Sequence, residues 1–299
     1  TAEQYKLYLE NSAGEFGGIG VTVEYDSDYD ALRVLEVYTG APAEKVGILA
    51  GDILSAADGK TLADLGYNGF ISSVRGEVGT PIKLTIVRGT ADPFDVTVIR
   101  QIVHPVTIEG RLLTGGVGYV RIKEFGADGD KEFITMIENL RKQGAKSLVF
   151  DLRSNPGGQL ATLLPMLDYL LPEGVLFIEK DKAGNKNEYT SDANALDMPS
   201  VCLVNEYSYS AAEFFAACLN ETSNIPVVGL PTTGKGYAQT PIELSDGSAL
   251  VLSTLSYFTP KGVSLAETKG IVPTYRVDLP DDKYKSIGKM SAAEDPQLL

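Results

Sequence analysis

From Pro105 onward the sequence alternates apolar, strand-like runs with helical ones, and that alternation leaves few ways to fold. VGYVRI (Val117 to Ile122) reads as a strand, and an amphipathic helix follows from about Gly129 to Gln143. SLVFDLRSNPGG is a buried apolar strand that runs into a polar, glycine-rich loop, and LATLLPMLDYLL is helical again. Val201 to Val204 forms the next strand, an apolar helix runs to about Leu219, and Val227 to Gly229 is a further strand. Strands separated by helices of roughly 10 to 15 residues pair in parallel, because each crossover returns the chain to the same sheet edge. The expectation is an α/β core over 105–299. The loops Ser154 to Gly158 and Asn205 to Ser210 leave the C-terminal ends of their strands, where such sheets build their sites.

The first hundred residues follow a different pattern. Residues 1–15 read as the tail of a helix. FGGIGVTVEY is a glycine-rich entry into an alternating strand, and LRVLEVYTG is another strand. APAEKVG is a short helix with its proline at the start, and an Asp-Gly hairpin follows at Asp58. A helix near Gly69 to Val74 and a strand at Ile82 to Val87 complete a small β-rich domain over 16–104. DSDYD resembles a calcium loop only superficially. The sixth and twelfth positions are Ala31 and Val37 where Gly and Glu are needed, so a solvated hairpin turn is expected.

Charge and composition remove several classes of function. With 299 residues, 43% of them hydrophobic and 22% charged, the chain is globular and long enough for two domains. A net charge of −14 without a basic stripe makes nucleic acid and anionic membranes poor partners. No apolar run reaches the roughly 18 residues that span a bilayer. TAEQYKLYLE has no basic start or apolar block, so no targeting segment is expected in it; the start at Thr1 is compatible with removal of an upstream leader. Cys202 and Cys218 lie on the predicted strand and helix, where they read as small buried hydrophobes. The single histidine, His104, stands before a proline in IVHPVT with no serine or acid patterned around it. A Ser-His-Asp triad or a zinc site would have to depend on it alone, so neither is expected.

What remains is a serine pair and a lysine. Ser208 and Ser210 precede the helix that runs to Leu219, where unpaired N–H groups and the helix dipole favour developing negative charge. The bland reading of either serine is a helix cap. Lys235, between Gly234 and Gly236, has no acid within five positions on either side, and its bland reading is an exposed loop lysine. Serine and lysine together are a nucleophile and a base, provided the lysine amine is held neutral, which burial without an adjacent carboxylate favours. GLPTTGK (Gly229 to Lys235) also approaches a phosphate-binding loop, but Gly236 stands where Ser or Thr is needed and a strand-turn-strand follows.

At these residues the chain resembles the carboxyl-terminal processing proteases, serine peptidases with a Ser-Lys dyad and a PDZ domain. FGGIGVTV, GAPAEKVGILAGDILSAADGKTL and SVRGEVGTPIKLTIVR resemble the PDZ segment. GYVRIKEF, VFDLRSNPGG, VNEYSYSAAEFFAACL, GLPTTGKGYAQ and FTPKG…KGIVPTYRV follow in the family's order. The resemblance implies a crotonase/ClpP-like α/β peptidase core with a PDZ domain, and an N-terminal helical segment packed on the core. It implies Ser210 as nucleophile, Lys235 as base and Gln239 as the residue that orients the lysine without holding it charged. It places an oxyanion hole at Gly157, Gly158 and Ala211, and a carboxylate-binding loop at Gly17, Gly18, Ile19 and Gly20, otherwise readable as a β-bulge. Arg75 matches an arginine that in some members couples the PDZ domain to the site. Implied partners are proteins or peptides with free, apolar C-termini, with no cofactor, no metal and no nucleic acid, in an extracytoplasmic location. The chain departs from the pattern at Tyr207 and Tyr209, where small residues are preferred, and at Ala212, which replaces a serine. A non-catalytic peptide-binding protein on the same scaffold is the alternative reading.

Overall fold

Strict alternation along Pro81–Val87 buries Ile82, Leu84 and Ile86 and exposes Pro81 and Lys83, as a half-covered antiparallel strand requires. In the computed structural model, which describes residues 1–13 and 16–298, this strand belongs to one of two compact units. One unit holds residues 7–106 and the other residues 1–6 with 107–299. The expected N-terminal helix is α1 (Ala2–Ala13); the last two residues of that expectation, 14 and 15, lie outside the described residues.

In the smaller unit, β1 (Phe16–Gly18), β2 (Val21–Asp26), β3 (Ala31–Val37), α2 (Pro42–Lys45), β4 (Ile53–Ala57), β5 (Lys60–Thr61), α3 (Leu62–Val74), β6 (Pro81–Val87), β7 (Phe94–Ile99) and β8 (Gln101–Val103) follow in order. The sheet runs β2-β3-β4-β6-β7, so β2 is an edge, while β1 pairs with β8. The acidic run is a hairpin turn: Asp26 Oδ1 accepts the N–H groups of Asp28 and Tyr29, at 3.0 and 3.3 Å. Asp58 and Gly59 both have positive φ, 49° and 77°, the combination a tight two-residue hairpin needs. Helix α3 begins seven residues before the predicted start. Thr61 and Asp64 form a capping box there, and the helix breaks at Gly66 (φ 67°), so its second half alone carries the apolar period. Buried Arg100 closes its other end, donating to the carbonyls of Ser73 and Val74 at 2.6 and 3.0 Å.

The larger unit contains β9 (Ile108–Leu113), β10 (Val117–Ile122), α4 (Gly129–Lys142), β11 (Ser147–Asp151), α5 (Leu160–Leu170), β12 (Gly174–Asp181), β13 (Lys186–Ser191), β14 (Ser200–Val204), α6 (Ala211–Ser223), β15 (Val227–Gly229), β16 (Tyr237–Glu243), β17 (Ala249–Phe258), α7 (Leu265–Thr268), β18 (Tyr275–Arg276) and a 3₁₀ turn at Asp281–Ser286. Strands β10, β11, β14, β15 and β18 are parallel, and β9 joins β10 antiparallel. A second sheet, β13-β12-β17-β16, escapes the sequence reading in part: KNEYTS in β13 is polar and largely exposed, so only its pairing with β12 marks it as a strand. The stretch after the GLPTTGK loop is the β16–β17 hairpin, so no helix N-terminus is available there for a phosphate.

Register decides where the loops emerge. Asp151 pairs with Leu203 and Val204 with Gly229, so the chain leaves β11, β14 and β15 side by side at one edge. Beneath them Phe133 meets Phe150 and Phe215 with ring centroids 5.6 and 6.1 Å apart, the latter edge to face. Among the described residues no helix is long and apolar enough to cross a membrane. Phe133 is fully buried on α4, away from the loops, and Phe133→Ala is expected to cost about 3–5 kcal/mol. A urea titration followed by far-UV circular dichroism measures this loss.

Candidate active site

Three loops converge at that edge. The loop after β14 begins with Asn205, which is buried and accepts the N–H groups of Ser154 and Tyr207 on Oδ1 at 2.8 and 3.1 Å. This ties the second loop to the first. Ser208 is also buried, and its hydroxyl is committed: it donates to Leu152 O at 2.7 Å and accepts Asn205 N–H at 3.0 Å. Ser210 is different. It is half-buried at the mouth of α6 with φ 58° and ψ −124°, a backbone conformation that a residue with a Cβ adopts at a cost of about 1–3 kcal/mol.

Glu213, one turn into α6, is the residue that sequence reasoning missed. Its side chain is fully buried among alanines and phenylalanines, yet its carboxylate accepts four hydrogen bonds. Oε2 takes the N–H groups of Ser210 (2.9 Å) and Lys235 (2.8 Å), while Oε1 takes Gly234 N–H (2.6 Å) and Thr232 Oγ1–H (2.5 Å). One carboxylate thus joins the backbone of the serine to the backbone of the lysine. The only sequence signal was a lone acid in the apolar run AAEFFAACL, three residues after Ser210.

The glycines allow close approach. A Cβ on Gly157 (φ 92°) would lie 2.7 Å from Ser210 Cβ, and one on Gly234 (φ 90°) would lie 2.7 Å from Gly270 N. The expected oxyanion donors divide. Gly157 N–H is donated to Asn155 Oδ1 at 2.7 Å, a buried bond. Among the described residues, Gly158 N–H and Ala211 N–H donate to no protein acceptor.

The amine of Lys235 lies over the Tyr209 ring, 5.5 Å from its centroid, and neither Ser210 Oγ nor Gln239 is hydrogen-bonded to it among the described residues. Gln239 is exposed on β16 at a register shift opposite Ser253. The structure therefore brings together Ser210, the Lys235 backbone, Gly157 and Ala211, with Gly158 next in the chain. Both cysteines are buried, free thiols; burial pushes them up, and Cys218 donates to Leu176 O at 2.9 Å.

In the smaller unit, Gly17 and Gly18 end β1, paired with Ile102 and Gln101 of β8, and Ile19 and Gly20 connect it to β2. A cavity of about 370 Å³ opens beside the β2 edge, lined by Ile19, Val21, Val23, Ile71 and Val74, with Arg75 also on its wall. The Arg75 guanidinium stacks on Phe16, 3.9 Å from the ring centroid.

The profile described as Peptidase family S41 matches residues 116–277, more than half of the 299 residues, and a PDZ domain profile matches 33–88. The chain belongs to peptidase family S41. This S41 chain is 34% identical over 281 residues to the carboxy-terminal processing protease CtpA of Bacillus subtilis (strain 168), covering 93% of the chain and 60% of that protein. It is 34% identical over 291 residues to a probable CtpA-like serine protease of Staphylococcus aureus (strain bovine RF122 / ET3-1), covering 96% of the chain and 57% of that protein. It therefore spans less than two thirds of the length of either relative. The solved structure of a photosystem II D1 C-terminal processing protease matches with a TM-score of 0.59 and 28% identity, over 100% of this chain and 82% of that one. The fold is thus an α/β peptidase core with a PDZ domain.

A glutamine at position 213 of this S41 chain would turn its amide NH₂ toward at least one backbone N–H donor, whichever oxygen it replaced. Glu213→Gln is expected to lower stability by about 1–3 kcal/mol. Chemical denaturation against wild type checks this, and an unchanged midpoint would refute the role of the carboxylate as a tie.

Proposed function

We propose that this chain is the PDZ and peptidase portion of a serine endopeptidase, with residues 16–104 as the PDZ domain and 105–299 as the catalytic core. The observation that carries the reading is the contrast between the two serines. Ser208 spends its hydroxyl on two internal bonds, whereas Ser210 sits on a strained turn at a helix N-terminus, tied through Glu213 to the lysine loop. A protein that only bound peptides would have no need of that arrangement.

In the proposed reaction the Lys235 side chain swings from Tyr209 to Ser210 Oγ, and Gln239 accepts a hydrogen bond from the amine. The neutral amine takes the hydroxyl proton as Oγ attacks the peptide carbonyl. Gly158 N–H and Ala211 N–H, at the positive end of α6, receive the oxyanion. Lysine returns the proton to the leaving amine, and water then hydrolyses the acyl-enzyme by the same route. Ser210→Ala and Lys235→Ala are each expected to abolish hydrolysis of an unfolded protein, because nucleophile and base act as one unit. Ser208→Ala should retain measurable cleavage. Fragment mapping by mass spectrometry reads both, and an active Ser210→Ala with an inactive Ser208→Ala would reverse the assignment.

Substrates enter this reading through the PDZ cavity. An extended peptide would add to the free edge of β2, its terminal carboxylate against the amides of Gly17 to Gly20 and its last side chain in the apolar cavity. Proteins with free, apolar C-termini, met outside the cytoplasm, are the partners that fit. Cleavage of a peptide with a free C-terminus is expected to exceed that of its amidated form by about five- to hundredfold, with Arg75→Ala removing the difference. Equal rates for the two peptides in the wild type would refute C-terminal recognition.

A further inference from the structure

The C-terminal segment beyond β18 lies outside the expected machinery, yet buried polar bonds hold it in place. Arg153 is fully buried and donates Nη1 to Asp295 Oδ1 and Gln297 Oε1 at 3.0 and 2.8 Å. The same guanidinium pairs with Asp151, the last residue of β11. Further along, Arg121 donates to Ile287 O at 2.6 Å and Arg111 to Met290 O at 2.8 Å. Gly288 (φ 83°) makes room for this, since a Cβ there would collide with the Arg121 guanidinium.

This anchored segment carries Tyr284 onto the nucleophile loop. The Tyr284 hydroxyl faces both carboxylate oxygens of Glu206, at 2.8 and 3.0 Å, and its ring meets Tyr207 edge-on with centroids 6.1 Å apart. Burial and the facing carboxylate push the phenol pKa upward, so it remains a donor. Glu206 also holds the lysine loop: its carbonyl accepts Thr233 Oγ1–H at 2.9 Å, and Thr233 N–H donates to Ser208 O at 3.3 Å.

We propose that the segment from Asp278 to Gln297 is a strap whose Tyr284 acts as a positioning residue, pressing Glu206 and Tyr207 into the conformation that aligns Ser210 with the lysine loop. The inference rests on the peptidase reading for its effect on rate, but its effect on the loop stands on geometry alone. Tyr284→Phe removes the hydrogen bonds and keeps the ring. It should lower kcat about three- to tenfold with KM unchanged, as expected for loss of one hydrogen bond to a charged group at a partly exposed site. Glu206→Gln keeps an acceptor and should recover most of the rate. Tyr284→Phe combined with Glu206→Ala should be no worse than Glu206→Ala, since the pair is a single interaction.

The test measures kcat and KM for these variants together with hydrogen exchange of the Ser208 and Tyr209 amides. Faster exchange and lower kcat in Tyr284→Phe, at an unchanged melting temperature, support the strap. Unchanged exchange overturns it, as does a rate loss that follows only a fall in melting temperature. If the wild type cleaves no better than Ser210→Ala, the peptidase reading fails, and the exchange measurement alone decides the strap.

Discussion

The buried carboxylate of Glu213 is the interaction on which the site depends. An ionised carboxylate in an apolar helix is strongly unfavourable unless its lone pairs are filled, and here three backbone amides and one threonine hydroxyl fill them. Those four donors come from two loops on different strands. The condition that makes Glu213 tolerable in the core is therefore the condition that places the serine turn beside the lysine loop. A longer or shorter connection on either side would leave a charge unsatisfied, with a penalty far above that of a poorly packed loop.

The parallel sheet makes this convergence possible. Its register brings three strand ends level, and glycines at 157, 229 and 234 let the loops touch where a Cβ would collide. Gly157 shows the trade-off. Its lack of a side chain lets the Ser210 turn lie against it, while Asn155 takes its amide. Of the two adjacent glycines, Gly157 thus gives its amide to Asn155, while among the described residues Gly158 N–H donates to no protein acceptor.

Lys235 shows how a site can be assembled in its backbone and unset in its side chain. Glu213 fixes the lysine N–H, but the amine lies on the Tyr209 ring, an attraction of about 0.5–1 kcal/mol at such a site. Tyr209, which stands where the resemblance expects a small residue, supplies the ring that holds this amine.

The sequence alone determined the β-rich and α/β halves, because alternation of period two and strand–helix crossovers are local patterns that one burial geometry satisfies. It also marked Ser210 and Lys235, through glycine spacing and through resemblance. It could not choose between Ser208 and Ser210 on chemistry, since both are serines before a helix; the tertiary hydrogen bond to Leu152, with the local one to Asn205, is what commits the Ser208 hydroxyl. The roles of Glu213 and Tyr284 were not legible for a related reason. Three of the four donors to Glu213 lie 19 to 22 residues away and the partner of Tyr284 lies 78 away, and no local period encodes a bond made across a folded sheet edge. Composition and periodicity specify which surfaces must be buried, whereas the satisfaction of buried polar groups is settled only when distant loops meet.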